Sequence, residues 1–418
     1  MSIDIDPADL IVPRNYGKSG QPHGTWTRLR ESSPVHRCEV DGYEPFWAIT
    51  RHADIMEISG QPEIFSNSAG PMILSNEQVE QRRNDKSPFA SMRTIIETDP
   101  PEHRDLRKIA SGLFTPRKIQ GLDDLVTECA REHIDKFGAE GECDFVETVA
   151  QRHPLRVLAT LLGVEREDEE TMLELTQQLF GADDPDLRRE GENREKATAE
   201  LGLEFYNLFN RIIEDRRANP RDDLASKLAN AKLPDGTPLG PVETFGYFLI
   251  VFTAGHDTTR NAIAGGMHAL LENPDQLELL CKDPELAPKA IEEIVRWTSP
   301  VNYMRRRVMQ DVVLHGQEIP AGDDLVMFYC SANRDDSVFD RPFEFDITRH
   351  PNRHLGFGTG EHFCLGAHVA RLSSRALFLE IARRLEYAEP TAPATWIESS
   401  FVVGLKTLPM RYKFCPSA

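Results

Sequence analysis

Apolar residues recur at helical spacing over most of the chain from about residue 101 onward. Leu122, Leu125, Val126, Cys129 and Ala130 fall on one face of a 3.6-residue repeat, as do Leu203, Tyr206, Phe209, Ile212 and Ile213. Residues 30–66 read instead as short strands, Val35–Val40 and Phe46–Thr50, around an Asp41-Gly42 turn. Strand character returns over 308–330, with Val312–Leu314 and Leu325–Tyr329 parted by Pro320-Ala321-Gly322-Asp323. The β-rich portions are expected at about 35–66, 308–330 and 390–415, in a chain that is otherwise mainly α. One helix is exceptional: it starts at Pro241, a favoured first-turn residue, and stops near Asn273-Pro274. Its first half is apolar on nearly every face (Phe245, Tyr247, Phe248, Leu249, Ile250, Val251, Phe252), which predicts a helix through the middle of the protein. No repeat and no long Gly/Ser- or Pro-rich linker divides the chain, so residues 1–418 are expected to form one domain.

Composition narrows the function. A content of 40% hydrophobic and 28% charged residues is that of a soluble globular protein. The net charge of −20 argues against binding a nucleic-acid backbone or an anionic membrane. The most apolar stretch, Phe245–Gly255, is about half the ~20 residues a membrane span needs. The acidic start MSIDIDPADL does not resemble a signal peptide. Seven scattered cysteines, an odd number without a CxxC pair, point to a reduced, cytoplasmic protein with at most one specialised cysteine.

Four segments carry candidate chemistry. In His354–Ala370, a glycine-rich loop delivers Cys364 to the start of a helix expected over Ala367–Arg383. Amides there point at the sulfur, and the helix dipole is expected to lower the thiol pKa. Such a sulfur serves as a metal ligand or nucleophile, or is simply a buried small residue. Gly366 lets a flat, bulky group approach the backbone. The loop lacks the Lys-Ser/Thr ending of a phosphate loop, and His362 sits too close in sequence to serve easily as a base for Cys364. In the long helix, Ala254-Gly255-His256-Asp257-Thr258-Thr259 sets small residues, an acid and hydroxyls in an apolar surround. This is either a proton relay beside a ligand or a close helix crossing. Glu293 and Arg296, at i,i+3, form a salt bridge that Ile294 and Trp297 place at least partly inside. Finally, Asp99–Arg107 begins a helix on which His103 and Arg107 share a face, either solvated or directed at one anion.

Together these segments resemble the cytochrome P-450 family, the haem-thiolate monooxygenases, over nearly the whole chain. Phe357-Gly-Thr-Gly-Glu-His-Phe-Cys364-Leu-Gly366 matches the family's haem-binding loop, Glu293-x-x-Arg296 its ExxR motif, and Ala254–Thr258 its oxygen-activation motif, with aspartate where many members have glutamate. The likeness is strongest to soluble bacterial members, the terpineol-hydroxylating type in particular. The resemblance implies the cytochrome P-450 fold, with haem b between the long helix and the helix after the cysteine loop. It implies Cys364 as the thiolate ligand of the iron and His103, Arg107, Arg306 and His362 at the propionates. It counts Ala254, Phe357 and Gly366 among the cofactor-binding positions. Asp257 and Thr258 become the acid–alcohol pair that supplies protons, and Glu293, Arg296 and Arg349 a structural charge network. The substrate pocket is expected from Phe89, Met92, Phe180, Ile250, Thr253, Val301, Asn302, Phe401 and Val402. That lining suits a terpenoid, an aromatic hydrocarbon or a steroid.

The implied activity inserts one oxygen atom of O2 into such a substrate. Electrons are expected from a separate 2Fe–2S ferredoxin with its NAD(P)H-dependent reductase, docking near Arg107, Lys108, Arg353 and Arg371. The chain is expected to be a monomer. Two other functions stand beside this one: a peroxide-driven peroxygenase, against which Asp257-Thr258 counts, and a non-catalytic haem sensor or carrier, which has no use for a relay.

Overall fold

The computed structural model describes residues 4–84, 92–112, 121–181, 183–187 and 194–415. Eight helices build the frame of the candidate site: α1 (Glu102–Ser111), α2 (Asp123–Asp135), α3 (Arg152–Leu161), α4 (Glu169–Phe180), α5 (Arg194–Ala218), α6 (Pro241–Glu272), α7 (Ala287–Thr298) and α8 (Ala367–Arg384). The strands are β1 (Val35–Cys38), β2 (Phe46–Ile49), β3 (Phe65–Ser66), β4 (Glu140–Asp144), β5 (Tyr303–Val308), β6 (Val312–Leu314), β7 (Gln317–Ile319), β8 (Asp324–Phe328), β9 (Leu385–Pro390), β10 (Thr395–Trp396), β11 (Leu405–Thr407) and β12 (Pro409–Phe414). The main sheet runs β1-β2-β8-β5-β3, antiparallel except where β2 pairs with β8, and a second sheet runs β4-β12-β9.

The long helix α6 begins and ends where proline permits, with Asn273 closing it through a bond from its N–H to the Ala269 carbonyl. Its C-terminal half is core on all sides: Ile263, Met267 and Leu270 pack with Val126 of α2, Ile294 of α7 and Leu377 of α8. Its N-terminal half stacks Phe248 and Phe252 against Phe209 of α5, at 5.7 and 5.9 Å between ring centres. Burial there is not all-round as the sequence suggested. Ile250 and Thr258 are half-buried and Ala254 is exposed, so one i,i+4 stripe of a central helix is left uncovered by protein.

Three strands fall outside the expected regions or only touch them, β4, β5 and β9, the last beginning directly after α8. β5 precedes residue 308 because its Tyr-Met-Arg-Arg-Arg-Val sequence hides the alternation, yet Arg305 and Arg306 are buried. β4, Glu-Gly-Glu-Cys-Asp, is too acidic to signal a strand and forms on the edge of its sheet, paired with β12.

The expected charge network is present and dry. Glu293 and Arg296 are both 0% exposed, joined by two bonds of 2.7 Å. Arg349 Nε lies 3.1 Å from Glu293 Oε2, the Asp346 N–H 2.9 Å from Oε1, and Asn352 Nδ2 3.1 Å from Oε2. The arginines use their remaining donors on the carbonyls of Asn333, Pro342, Asp340 and Glu344. One carboxylate thereby ties α7 to the irregular segment 333–352. Glu293→Gln keeps the volume but leaves two buried guanidinium groups without their anion. It is expected to destabilise the fold by about 3–5 kcal/mol, read as a lowered unfolding midpoint; a loss within about 0.5 kcal/mol, typical of a solvated position, would refute the structural role.

Candidate active site

The loop before α8 is shaped by glycines. Gly360 has a φ of +71°, and a side chain there would run into the Ser59 carbonyl. The chain then makes a 3-10 turn over Gly360–His362 and returns so that the Cys364 N–H meets the Phe357 carbonyl at 2.9 Å. The amides of Gly366 and Ala367 hydrogen-bond the Cys364 sulfur, as expected at this helix start. The expected fall in thiol pKa is not found. Burial outweighs those amides and the cations Arg107 and Arg371, and pushes the thiol up. A Cβ at Gly366 would meet nothing within 4 Å, so the backbone beside the sulfur is open to a large flat group. Phe357 is fixed by Arg371, whose guanidinium stacks 4.3 Å above its ring while bonding Glu292 at 2.6 and 2.8 Å. Burial would raise the Glu292 carboxyl, but Arg371 and His354 hold it down at about 2.

His103 and His362 come together from α1 and the cysteine loop, their rings 3.9 Å apart. His103 Nδ1 and His362 Nε2 are buried without a partner. Burial, then Arg306, His103 and Arg107, depress the His362 pKa to about 2. Burial and Arg107 lower that of His103. Arg306 is 4% exposed; it donates to the Arg305 carbonyl at 2.8 Å and is hydrogen-bonded to the Tyr329 phenol. Arg107 donates to the Phe363 carbonyl at 2.7 Å. No ion pair joins Arg107 or Arg306 to a carboxylate among the described residues. His103 is buried and Arg107 half-buried, and the structure gathers both near Arg306 and His362. Tyr329 and Thr98, whose backbone bonds His362, complete the group and were not foreseen, since neither carries a charge that marks it in sequence.

In α6 the two readings of the Ala254–Thr259 segment divide between neighbours. Gly255 is the crossing point: a Cβ there would sit 3.1 Å from Leu158 of α3. Ala254 and Thr258 form the uncovered stripe, with Thr258 Oγ1 donating to the Ala254 carbonyl at 2.7 Å. Asp257 is 5% exposed and accepts from Asn261 Nδ2 at 3.2 Å; burial pushes its carboxyl up against the pull of Arg260 and Asn261. His256 bonds the Gln151 carbonyl at 2.8 Å and is core.

The expected pocket residues divide. Ile250 and the half-buried Met92 lie along α6, Met92 sulfur 3.4 Å from where a Cβ on Gly246 would be. Thr253 donates to the Leu249 carbonyl within the helix and is buried. Val301 and Val402 pair in a β-bridge, Val402 being buried. Asn302 is 0% exposed; its Nδ2 donates to Tyr16 Oη and the Ser400 carbonyl, both at 2.7 Å, while its Oδ1 is buried without a partner. Phe401 packs edge-on against Tyr303 in the N-terminal core cluster. Phe89 and the Phe180 side chain lie outside what the structure describes. The expected docking patch is also thinner than its sequence. Lys108, though exposed, pairs with Asp105, and Arg371 pairs with Glu292, while Arg353 is exposed.

Comparison with known proteins agrees with this geometry. Residues 281–415 match the Cytochrome P450 family. The chain is 38% identical over 413 residues to Cytochrome P450-terp of a Pseudomonas species, covering 96% of each. It is 34% identical to Linalool 8-monooxygenase of Pseudomonas putida, covering 97% of this chain and 98% of that one. The crystal structure of CYP108D1 from Novosphingobium aromaticivorans superposes with a TM-score of 0.88 at 35% identity over 98% of both chains. Sequence, fold and site converge, and the chain belongs to the cytochrome P450 family of monooxygenases, whose members hold haem b through a cysteine thiolate.

Proposed function

We propose that this enzyme hydroxylates a small terpenoid-like hydrophobic substrate, with Cys364 as the iron ligand and His103, Arg107, Arg306 and His362 around the haem propionates. The observation that carries the assignment is the cluster of imidazole and guanidinium donors itself. Two buried imidazole nitrogens without partners and an arginine with only neutral ones are costly unless an anion arrives. The residues present therefore fit a dicarboxylate macrocycle. A flat group would have room beside Gly366, where a Cβ would meet nothing within 4 Å. The haem supplies the oxidising power, and a thiolate ligand favours O–O cleavage.

The chain's own residues do the rest. Ala254, as the small member of the uncovered stripe, leaves room between α6 and the reacting centre. Thr258 presents a hydroxyl whose proton is held on the Ala254 carbonyl at 2.7 Å, and Asp257 stands beside it with a carboxyl that retains its proton above the ordinary carboxylate range. Ile250 and Met92 line the substrate side with apolar surface, excluding water from the transfer. The likeness to Linalool 8-monooxygenase and Cytochrome P450-terp, together with this lining, favours a terpenoid over the other hydrophobic classes. The electron donor is a separate 2Fe–2S ferredoxin with its reductase, in keeping with the likeness to Cytochrome P450-terp and Linalool 8-monooxygenase. All seven cysteines are free, which suits a reduced cytoplasm, and no helix among the described residues is long and apolar enough to cross a membrane.

Cys364→Ser is expected to abolish the thiolate-type absorption of the reduced, carbon-monoxide-treated protein; retention of that signature would remove Cys364 from the iron. Thr258→Ala is expected to divert donor-supplied electrons into peroxide and to lower hydroxylated product by about 10-fold or more, while peroxide-driven turnover survives. Unchanged product per electron pair would refute its proton role. In a spectral titration, monoterpene alcohols are expected to perturb the haem absorption at micromolar levels; steroids binding where no monoterpenoid does would overturn the substrate class.

A further inference from the structure

The uncovered stripe of α6 has a covered end. Ile250, Ala254 and Thr258 follow Tyr247 at i+3, i+7 and i+11, so all four share one face of the helix. Ala254 is exposed, whereas Tyr247 is 4% exposed. What covers that end is α1 and the segment leading to it. Met92 lies 3.4 Å from where a Cβ on Gly246 would be, and the next residue, Tyr247, donates from Oη to the Leu106 carbonyl of α1 at 2.6 Å.

The acceptor is a main-chain atom, directly before Arg107 and one turn after His103. In an α-helix that carbonyl already accepts from the N–H four residues on, and the hydroxyl takes its second lone pair. The bond therefore fixes the backbone of α1 rather than a side chain. The phenol is a lasting donor, because burial pushes its pKa up against the opposing influence of Arg107. The other polar ties of α1 lead elsewhere. Arg104 meets Glu361 at 2.5 Å and Arg107 the Phe363 carbonyl at 2.7 Å, both in the cysteine loop, and Glu102 meets Arg93 at 2.8 Å. The two ion pairs are solvated, and such pairs hold geometry loosely. Buried tyrosines need an acceptor wherever they lie. Tyr412 of β12, donating to the Phe137 carbonyl at 2.7 Å, is the matching case away from the site.

We propose that Tyr247 is a positioning residue for the haem propionates, its hydroxyl setting where α1, and with it His103 and Arg107, stands against the reacting face of α6. The inference rests on the proposed placement of His103 and Arg107 at the propionates. The carboxylates are gripped from α1 while the substrate is presented along α6. Slack between the two helices thus becomes slack between cofactor and substrate.

The test uses the haem-loaded full chain and two readouts independent of turnover: the rate of haem transfer to excess apomyoglobin and the reduction potential of the haem. Y247F is expected to release haem about 3–10-fold faster, the factor that one net hydrogen bond corresponds to. It is also expected to move the potential to more negative values, since propionate charge less well met by donors opposes the incoming electron. Y412F, which loses an equivalent bond, is expected to lower the unfolding midpoint similarly and to leave both readouts unchanged. In Y247F/R107A the acceleration is expected to be smaller than the product of the two single effects, because Tyr247 acts partly through Arg107. If H103A and R107A both keep the wild-type release rate and potential, the placement at the propionates fails. If they release haem faster but Y247F behaves as Y412F does, Tyr247 does not position α1. Strict multiplication of the single effects in Y247F/R107A would overturn the proposal as well, since the two residues would then act independently.

Discussion

A carboxylate that touches no water governs the layout of this protein. Glu293 sits between two guanidinium groups where solvent cannot help it, so its oxygens must be met by donors held in place. Those donors come from α7 itself (Arg296) and from the segment 346–352, through Arg349, Asn352 and the Asp346 N–H. Neither regular helix nor sheet fixes the path of that segment, yet it leads directly into the loop that presents Cys364. The position of the sulfur is thus inherited from an ion pair well before it in sequence. A weaker, solvated salt bridge at the same i,i+3 spacing could not do this, because solvated pairs hold geometry loosely.

With the sulfur placed, α6 divides the space around it. Gly255 brings the helix against α3, the Phe248–Phe252 ridge locks it to α5, and the Ile250–Ala254–Thr258 stripe is left free. Asp257 and Arg260 occupy yet another side. One straight helix thereby separates packing, substrate and buried polar groups by angle alone. That separation depends on small residues at two adjacent positions with different neighbours, Leu158 for Gly255 and no protein atom layer for Ala254.

The fold class, the long helix and the cysteine loop were legible because each depends on strong local signals: proline at helix ends, apolar periodicity, and glycine where φ is positive. The Glu293–Arg296 pair was legible for the same reason. What escaped was set by partners distant in sequence. β5 looks solvated from its three arginines, but β8 on one side and β3 on the other bury two of them. His103 and Arg107 look like an ordinary charged face until His362 is folded against them from the cysteine loop. Tyr329 has no signal at all, because its role comes from lying beside Arg306 across a strand pair. Nothing local to Asn302 reveals that Tyr16 and Ser400 claim its amide. Arg260 did carry a signal, a lone cation in an apolar helix directly after the threonines, and its weight becomes plain only beside Asn261 and Asp257.

The distribution of charge follows from these demands rather than from composition. In a chain of net charge −20, two of the buried arginines outside the Glu293 network have contrasting surroundings: Arg306 lies near the rings of His103 and His362, and Arg260 lies near Asp257. At the first, Arg306 makes no ion pair among the described residues and two imidazole nitrogens are buried without partners, which suits carboxylates from outside. At the second, Arg260 has Asp144 and Asp257 for partners within the chain, while burial pushes the Asp257 carboxyl toward its protonated form. Donors without an anion mark where an anionic group is to be held, and matched charge surrounds the acid of α6. The apolar stripe between them belongs to the substrate because neither kind of charge reaches it.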